Sequence, residues 1–261
     1  MGFFDNMRIN QLGQKAYNAH VQANDLNKRG KLNDAKAMYS QALELYQQAF
    51  DAGCRKQGIL MSYSVLLMRS GMFAQAREIM KLISRETKLS EEVHFELRIN
   101  YAICLWRLGE LDNAIETARY AGKHAKNSDY YSALGTFLVE KAGQTGEFEE
   151  VRAFLDEAMD YDDEDASTLD NMGEYYRLLS AAAAEEDEAA RLRKESIAYY
   201  EKARKHKPGQ ITTLYALAKY ALEDGDKAKA KELIDRAIIH YSSKICPVSL
   251  EEMQAFKAQL Q

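Results

Sequence analysis

The chain has 261 residues, of which 46% are apolar and 29% charged, with a net charge of −5. That is the composition of a folded domain large enough to bury a core, and no window nears the eighteen continuous apolar residues of a membrane-spanning helix. Two prolines, Pro208 and Pro247, stand against 36 alanines, so helix breakers are scarce and an all-α chain is expected.

The first residues, Met1-Gly2-Phe3-Phe4-Asp5-Asn6, lack the basic and then apolar run of a secretory leader. Gly2 invites lipidation, but the myristoylation pattern wants Ser or Thr where Asn6 stands. Cys54, Cys104 and Cys246 are odd in number and scattered. They predict neither a disulfide framework nor a zinc site, and a reducing cytoplasm is the expected compartment.

Taken in chain order, one phrase recurs: a glycine that closes a helix, then a short amphipathic opening. It reads Gly30-Lys-Leu-Asn-Asp-Ala35, Gly71-Met-Phe-Ala-Gln-Ala76, Gly109-Glu-Leu-Asp-Asn-Ala114, Gly146-Glu-Phe-Glu-Glu-Val151 and Gly225-Asp-Lys-Ala-Lys-Ala230. Glycine suits the left-handed position that ends one helix, and the residues after it begin the next. Each phrase follows a helix with its own periodicity, clearest in Tyr101-Ala102-x-x-Leu105, Leu134-Gly135-x-x-Leu138 and Met172-Gly173-x-x-Tyr176. The spacing predicts six antiparallel helix pairs over residues 7–51, 55–87, 91–126, 128–160, 166–207 and 210–242. About eleven extra residues between Gly173 and Tyr200 lengthen the fifth pair by some three helical turns. Ser249-Leu-Glu-Glu252 has the form of a capping box and predicts a closing helix over 249–260.

Two helices lie about 8–10 Å apart only where no bulky side chain separates their backbones. Three such positions per pair are predicted: Ala23, Ala35, Ala42; Ser64, Ala76, Ile83; Ala102, Ala114, Ala121; Gly135, Val151, Ala158; Gly173, Ser196, Ala203; and Ala218, Ala230, Ala237. All but Ile83 and Val151 are small. A pair alone leaves an apolar face uncovered, so the pairs are expected to stack as one domain over 1–261.

The pattern resembles that of the tetratricopeptide (TPR) repeat, a tryptophan or its replacement, then Leu-Gly-x-x-Tyr, a small residue, an aromatic and a proline. Tyr199-Tyr200-Glu-Lys-Ala203 leading to Pro208 matches its closing segment. The resemblance covers roughly residues 10–242 and implies an α-solenoid that binds proteins or peptides in a concave groove lined by the first helix of each pair. It places Tyr17, His20, Asn24 and Lys28 on that groove from the first pair. Met61, Val65, Met68 and Arg69 come from the second, and Ile99, Ile103, Trp106 and Arg107 from the third. The fifth and sixth pairs add Asp170, Glu174 and Arg177, then Tyr215 and Lys219. Relatives that clamp a C-terminal carboxylate carry Lys, Asn and Arg at the groove centre. Here Asn24 alone matches, with His20, Ser62, Glu96 and Asn100 at the other clamp positions, so a different cargo is expected: an amphipathic helix or an extended apolar segment.

No catalytic pattern appears: there is no H-E-x-x-H, no G-x-S-x-G and no phosphate-cradling loop. Asp160-Tyr-Asp162-Asp-Glu164-Asp165 departs from a calcium loop, which needs Gly where Asp165 stands and Glu where Asn171 stands. It reads as an acidic solvated loop that favours the next helix N-terminus. Residues 147–188 hold 16 acidic and 2 basic side chains. Without a continuous basic stripe, nucleic acid is not expected as a partner, nor is a membrane. The reading is a non-catalytic scaffold without cofactor or metal, with homo-oligomeric self-assembly as the alternative.

Overall fold

The computed structural model describes residues 3–85 and 88–260. Gly2 and the end of the second expected pair therefore lie outside the described residues. Among those described, every regular element is an α-helix. The helices gather into two compact units, Met1–Leu108 and Gly109–Gln261. The division falls within the third expected pair.

The first unit holds α1 (Phe3–Lys28), α2 (Leu32–Asp51), α3 (Gln57–Arg69), α4 (Phe73–Ile83) and α5 (Glu91–Arg107). Helix α1 packs on α2 and α3 on α4, while α1, α3 and α5 lie in succession. The second unit holds α6 (Leu111–Gly122), α7 (Ser128–Thr145), α8 (Glu149–Tyr161), α9 (Ala166–Ala182), α10 (Glu186–His206), α11 (Ile211–Glu223), α12 (Lys227–His240) and α13 (Leu250–Ala258). Its strongest pairings are α9 with α10 and α11 with α12. The extra residues of the fifth pair go into α9 and α10, which run 17 and 21 residues.

The recurring glycines end helices as their spacing predicts. Gly30, Gly71, Gly109, Gly146 and Gly225 have φ between 73° and 83°, a region that costs any residue with a Cβ. After three of them the next amide reaches back five residues: Lys31 N to Leu26 O at 3.0 Å, Met72 N to Leu67 O at 2.8 Å, and Asp226 N to Ala221 O at 2.8 Å. That bond closes a Schellman turn and satisfies a carbonyl the helix would otherwise leave open. Some helix starts are capped by side chains: Ser90, Asn127 and Asp226 accept from the third amide of α5, α7 and α12. Asp165, from the acidic run, does the same for α9 at 2.7 Å. Ser249 and Glu252 complete the capping box of α13.

Every one of the eighteen small-residue positions is buried. The sixteen that are not glycine are 2% exposed or less, and Gly135 and Gly173 are buried too. Ile83 and Val151 are accommodated in the same way as the alanines. Gly173 shows how tight the approach is: a Cβ there would lie 2.8 Å from the Tyr200 ring of α10. Its carbonyl accepts from Ser196 Oγ at 2.7 Å, and Ser196 Oγ in turn accepts from Tyr220 OH at 2.9 Å. Three helices, α9, α10 and α11, are joined at that point. Met253 and Phe256 of α13 then enter the cluster of Tyr200, Leu214, Leu217, Leu233 and Ile234, closing the end of the unit.

Gly173→Ala should lower the thermal midpoint, because overpacking costs about 1–3 kcal/mol and outweighs a helix-propensity gain of about 1 kcal/mol. Gly58→Ala, in a helix with open space around its Cα, should raise the midpoint. Scanning calorimetry of the two variants checks both signs.

Candidate functional site

The candidate surface of the first unit is the side of α1, α3 and α5 that carries the predicted groove residues. The structure divides them. His20, Met61, Met68 and Ile99 are 6%, 8%, 1% and 4% exposed, so they pack inside the unit and reach no partner without moving. Tyr17 and Lys28 are exposed, whereas Asn24, Val65, Arg69, Ile103, Trp106 and Arg107 are half-buried. The accessible apolar strip therefore shrinks to Val65, Ile103 and Trp106. His20, for one, is covered by α2, meeting the Tyr39 and Tyr46 rings edge-on at 6.0 Å each.

Asn24 and Arg69 are joined across α1 and α3. Asn24 Oδ1 accepts from Tyr39 OH at 2.7 Å and from Arg69 Nη1 at 3.3 Å, and the Arg69 guanidinium lies 4.6 Å from the Tyr39 ring centre. Arg107 stands over the Phe73 and Trp106 rings, at 5.6 Å and 5.4 Å. Tyr39 and Phe73 belong to second helices of their pairs, which the groove pattern ignores. Their aromatic character was the only signal in the sequence.

His20 Nδ1 lies 3.4 Å from Tyr46 OH. Burial, and then the Arg69 charge, pull the imidazole down from its ordinary 6.5 to about 4.

In the second unit the predicted residues of α9 and α11 form a polar network. Arg177 donates twice to Glu174, Nε at 2.7 Å and Nη2 at 2.6 Å, while Tyr200 OH donates to Glu174 Oε2 at 2.7 Å. Asp170 accepts from Thr212 at 2.7 Å and from Thr213 at 2.5 Å. Burial raises the Asp170 carboxyl to about 6 against the pull of those hydroxyls. Lys219 lies 4.9 Å from the centre of the Tyr215 ring, and burial followed by the Arg177 charge lowers its pKa. Tyr215 also meets Phe256 of α13 edge-on at 5.6 Å. These groups hold helices to one another, and each carboxylate is already engaged. Among the described residues no three His, Cys, Asp or Glu side chains gather as a metal site.

A depression of about 330 Å³ lies between α1 and α2, lined by Lys15, Asn18, Ala19, Gln22, Met38, Gln41 and Leu45. At 100° per residue it faces away from the side bearing Tyr17, His20, Asn24 and Lys28.

No family model and no curated protein matches the chain. Solved structures do. Human IFIT1, as a dimer with m7Gppp-AAAA, is similar over 84% of this chain and 48% of its own, at 15% identity and a TM-score of 0.58. The fold is tetratricopeptide-like. The chain spans about half the length of IFIT1, and at that identity the likeness concerns the fold alone. The TPR2AB domain of yeast Sti1, in complex with pHSP90, aligns over 95% of this chain and 99% of its own at 14% identity, with a TM-score of 0.38. YrrB, described as a TPR protein with an unusual peptide-binding site, aligns over 81% and 97% at 15% identity and 0.41. These weaker superpositions add nothing to the assignment of the tetratricopeptide-like fold.

The low pKa of His20 sets a pH dependence. The unfolded chain takes up a proton near pH 6.5 that the folded first unit refuses until about pH 4. Stability contributed there falls as pH drops through that window, by up to about 3 kcal/mol. Asp170 acts oppositely in the second unit, since a raised carboxyl favours the fold as pH drops from about 6 towards its unfolded value near 4. His20→Asn should therefore lose less stability than the parent between pH 7 and pH 4.5 in urea titrations. An imidazole titrating near 6.5 by NMR in the folded protein would contradict the assignment.

Proposed function

We propose that the chain is a non-catalytic scaffold that binds a protein or peptide along the first helices of its pairs. The observation that carries this reading is the half-buried strip of Val65, Ile103 and Trp106 beside Arg69 and Arg107. One apolar side chain on α3 and two on α5 are neither sealed in the core nor isolated on the surface. Such an arrangement offers a partner apolar area already partly desolvated, with an aromatic anchor and guanidinium donors beside it. The buried polar groups support the same reading from another direction. Asp170 and Glu174 are held by hydroxyls and by Arg177, and do not converge with a nucleophile on an open site.

IFIT1 is seen with m7Gppp-AAAA. In this chain the candidate strip includes the aliphatic side chains of Val65 and Ile103, which fit apolar side chains better than stacked bases, so a polypeptide is the better fit.

Selection of a random dodecapeptide phage library on the purified chain tests the proposal. Peptides should be enriched, and Trp106→Ala should weaken them about tenfold or more while the helical circular dichroism is retained. Failure to enrich any peptide, or equal binding by Trp106→Ala, would overturn it.

A further inference from the structure

Lys28, Arg69 and Arg107 stand at the same place in three successive repeats. Each lies five residues beyond the small-contact residue of its first helix, namely Ala23, Ser64 and Ala102. Each therefore sits in the last turn of α1, α3 or α5. Cations at helix C-termini ease the dipole, but that need is equal in all the pairs. The corresponding residues of the fourth to sixth pairs are Glu140, Leu178 and Glu223, and α7, α9 and α11 carry no basic residue in the last turn. The dipole alone does not explain the row.

Nor does any described carboxylate answer the three cations. The ion pairs of the first unit include Arg29–Asp25, Arg77–Glu78 and Lys81–Glu78, and among the described residues no carboxylate pairs with Lys28, Arg69 or Arg107. Arg69 and Arg107 are half-buried and held in place by rings, Tyr39 in one case and Phe73 with Trp106 in the other. Arg107 Nε is buried without an acceptor. Arg69 Nη1 donates to Asn24 Oδ1, and the stacked guanidinium keeps further N–H donors that a carboxylate can accept from. Residues 1–108 as a whole carry 15 basic and 10 acidic side chains, against 20 and 30 in residues 109–261.

We infer that Lys28, Arg69 and Arg107 form a cationic row that recognises an acidic segment of a partner polypeptide, whose apolar residues lie on Val65, Ile103 and Trp106. The inference rests on the peptide-binding reading above and adds the charge of the ligand. Aliphatic Val65 and Ile103 beside the row fit apolar side chains better than a ladder of bases, which calls for successive aromatic platforms.

The test uses the full chain and the dodecapeptides selected on it. Enriched sequences should carry net negative charge, bind more weakly as NaCl rises from 50 to 500 mM, and shift the emission of Trp106, the only tryptophan. Replacing each cation by Gln should weaken binding by about threefold to fivefold, and the triple variant should abolish it. Lys15→Gln/Lys36→Gln/Lys56→Gln, with the same loss of charge elsewhere, should bind as the parent does. Arg69→Lys/Arg107→Lys, which keeps the charge but loses the stacked fork, should bind more weakly than the parent and more tightly than the Gln variants, and an unchanged helical circular dichroism of the triple Gln variant separates lost recognition from lost folding. Neutral or basic peptides that still need Trp106 would overturn the charge assignment and leave the peptide-binding reading standing. No enrichment at all would sink both. Tighter binding of a U12 oligoribonucleotide than of any peptide, lost in the triple Gln variant, would overturn the inference in favour of a nucleic-acid ligand.

Discussion

The closeness of helix to helix is the constraint on which the rest of the structure depends. At three points in each pair the backbones approach closely, and alanine, glycine or serine occupies all of them but two, Ile83 and Val151; all are buried. Larger side chains on either side then interdigitate at close to crystalline density. Gly173 illustrates the margin, since even a methyl group would press on the Tyr200 ring. Ser196 adds a polar version of the same contact, tying α9, α10 and α11 with hydrogen bonds that cost no extra room. Because the contact positions consume one side of each first helix, the other side is left to meet something else.

What remains on that side differs between the two units. In the second, charges are answered within the fold: Arg177 by Glu174, and Arg193 by Glu223 and Asp224. Asp170 is satisfied by hydroxyls donated from the next pair. In the first, a short apolar strip lies beside Arg69 and Arg107, which are stacked on rings and meet no carboxylate among the described residues. A satisfied network stabilises an architecture, whereas unanswered charge beside half-buried apolar area is free energy available for binding. That contrast is why we propose the interaction surface on α1, α3 and α5.

Much of the architecture was legible in the chain because it depends on residues with one use. A glycine such as Gly71, followed by an amphipathic opening, ends a helix at positive φ; Ser249 with Glu252 starts one; a periodic Ala marks a close approach. The candidate surface was legible only in outline. Met61 and Val65 are both apolar and lie four residues apart on α3, yet one is buried and the other half-buried. Which of them is covered depends on how neighbouring first helices tilt together, and periodicity along a single helix does not carry that. Tyr39 and Phe73, which orient Arg69 and Arg107, lie outside the first helices altogether. The Thr212 and Thr213 hydroxyls that hold Asp170 are more than forty residues away in sequence. Such contacts appear only once the pairs have been assembled.

Helix α12 offers a direct measurement of the central claim, because Ala228 is exposed and Ala230 is a fully buried contact residue two positions on. Ala and Leu have similar helix propensity, so the two Leu substitutions differ mainly in what the added side chain meets. In guanidinium titrations Ala228→Leu should leave stability within about 0.5 kcal/mol of the parent, and Ala230→Leu should lose about 1–3 kcal/mol. Equal stability of the two variants would contradict the account, since the close approach of paired helices would then not depend on small residues.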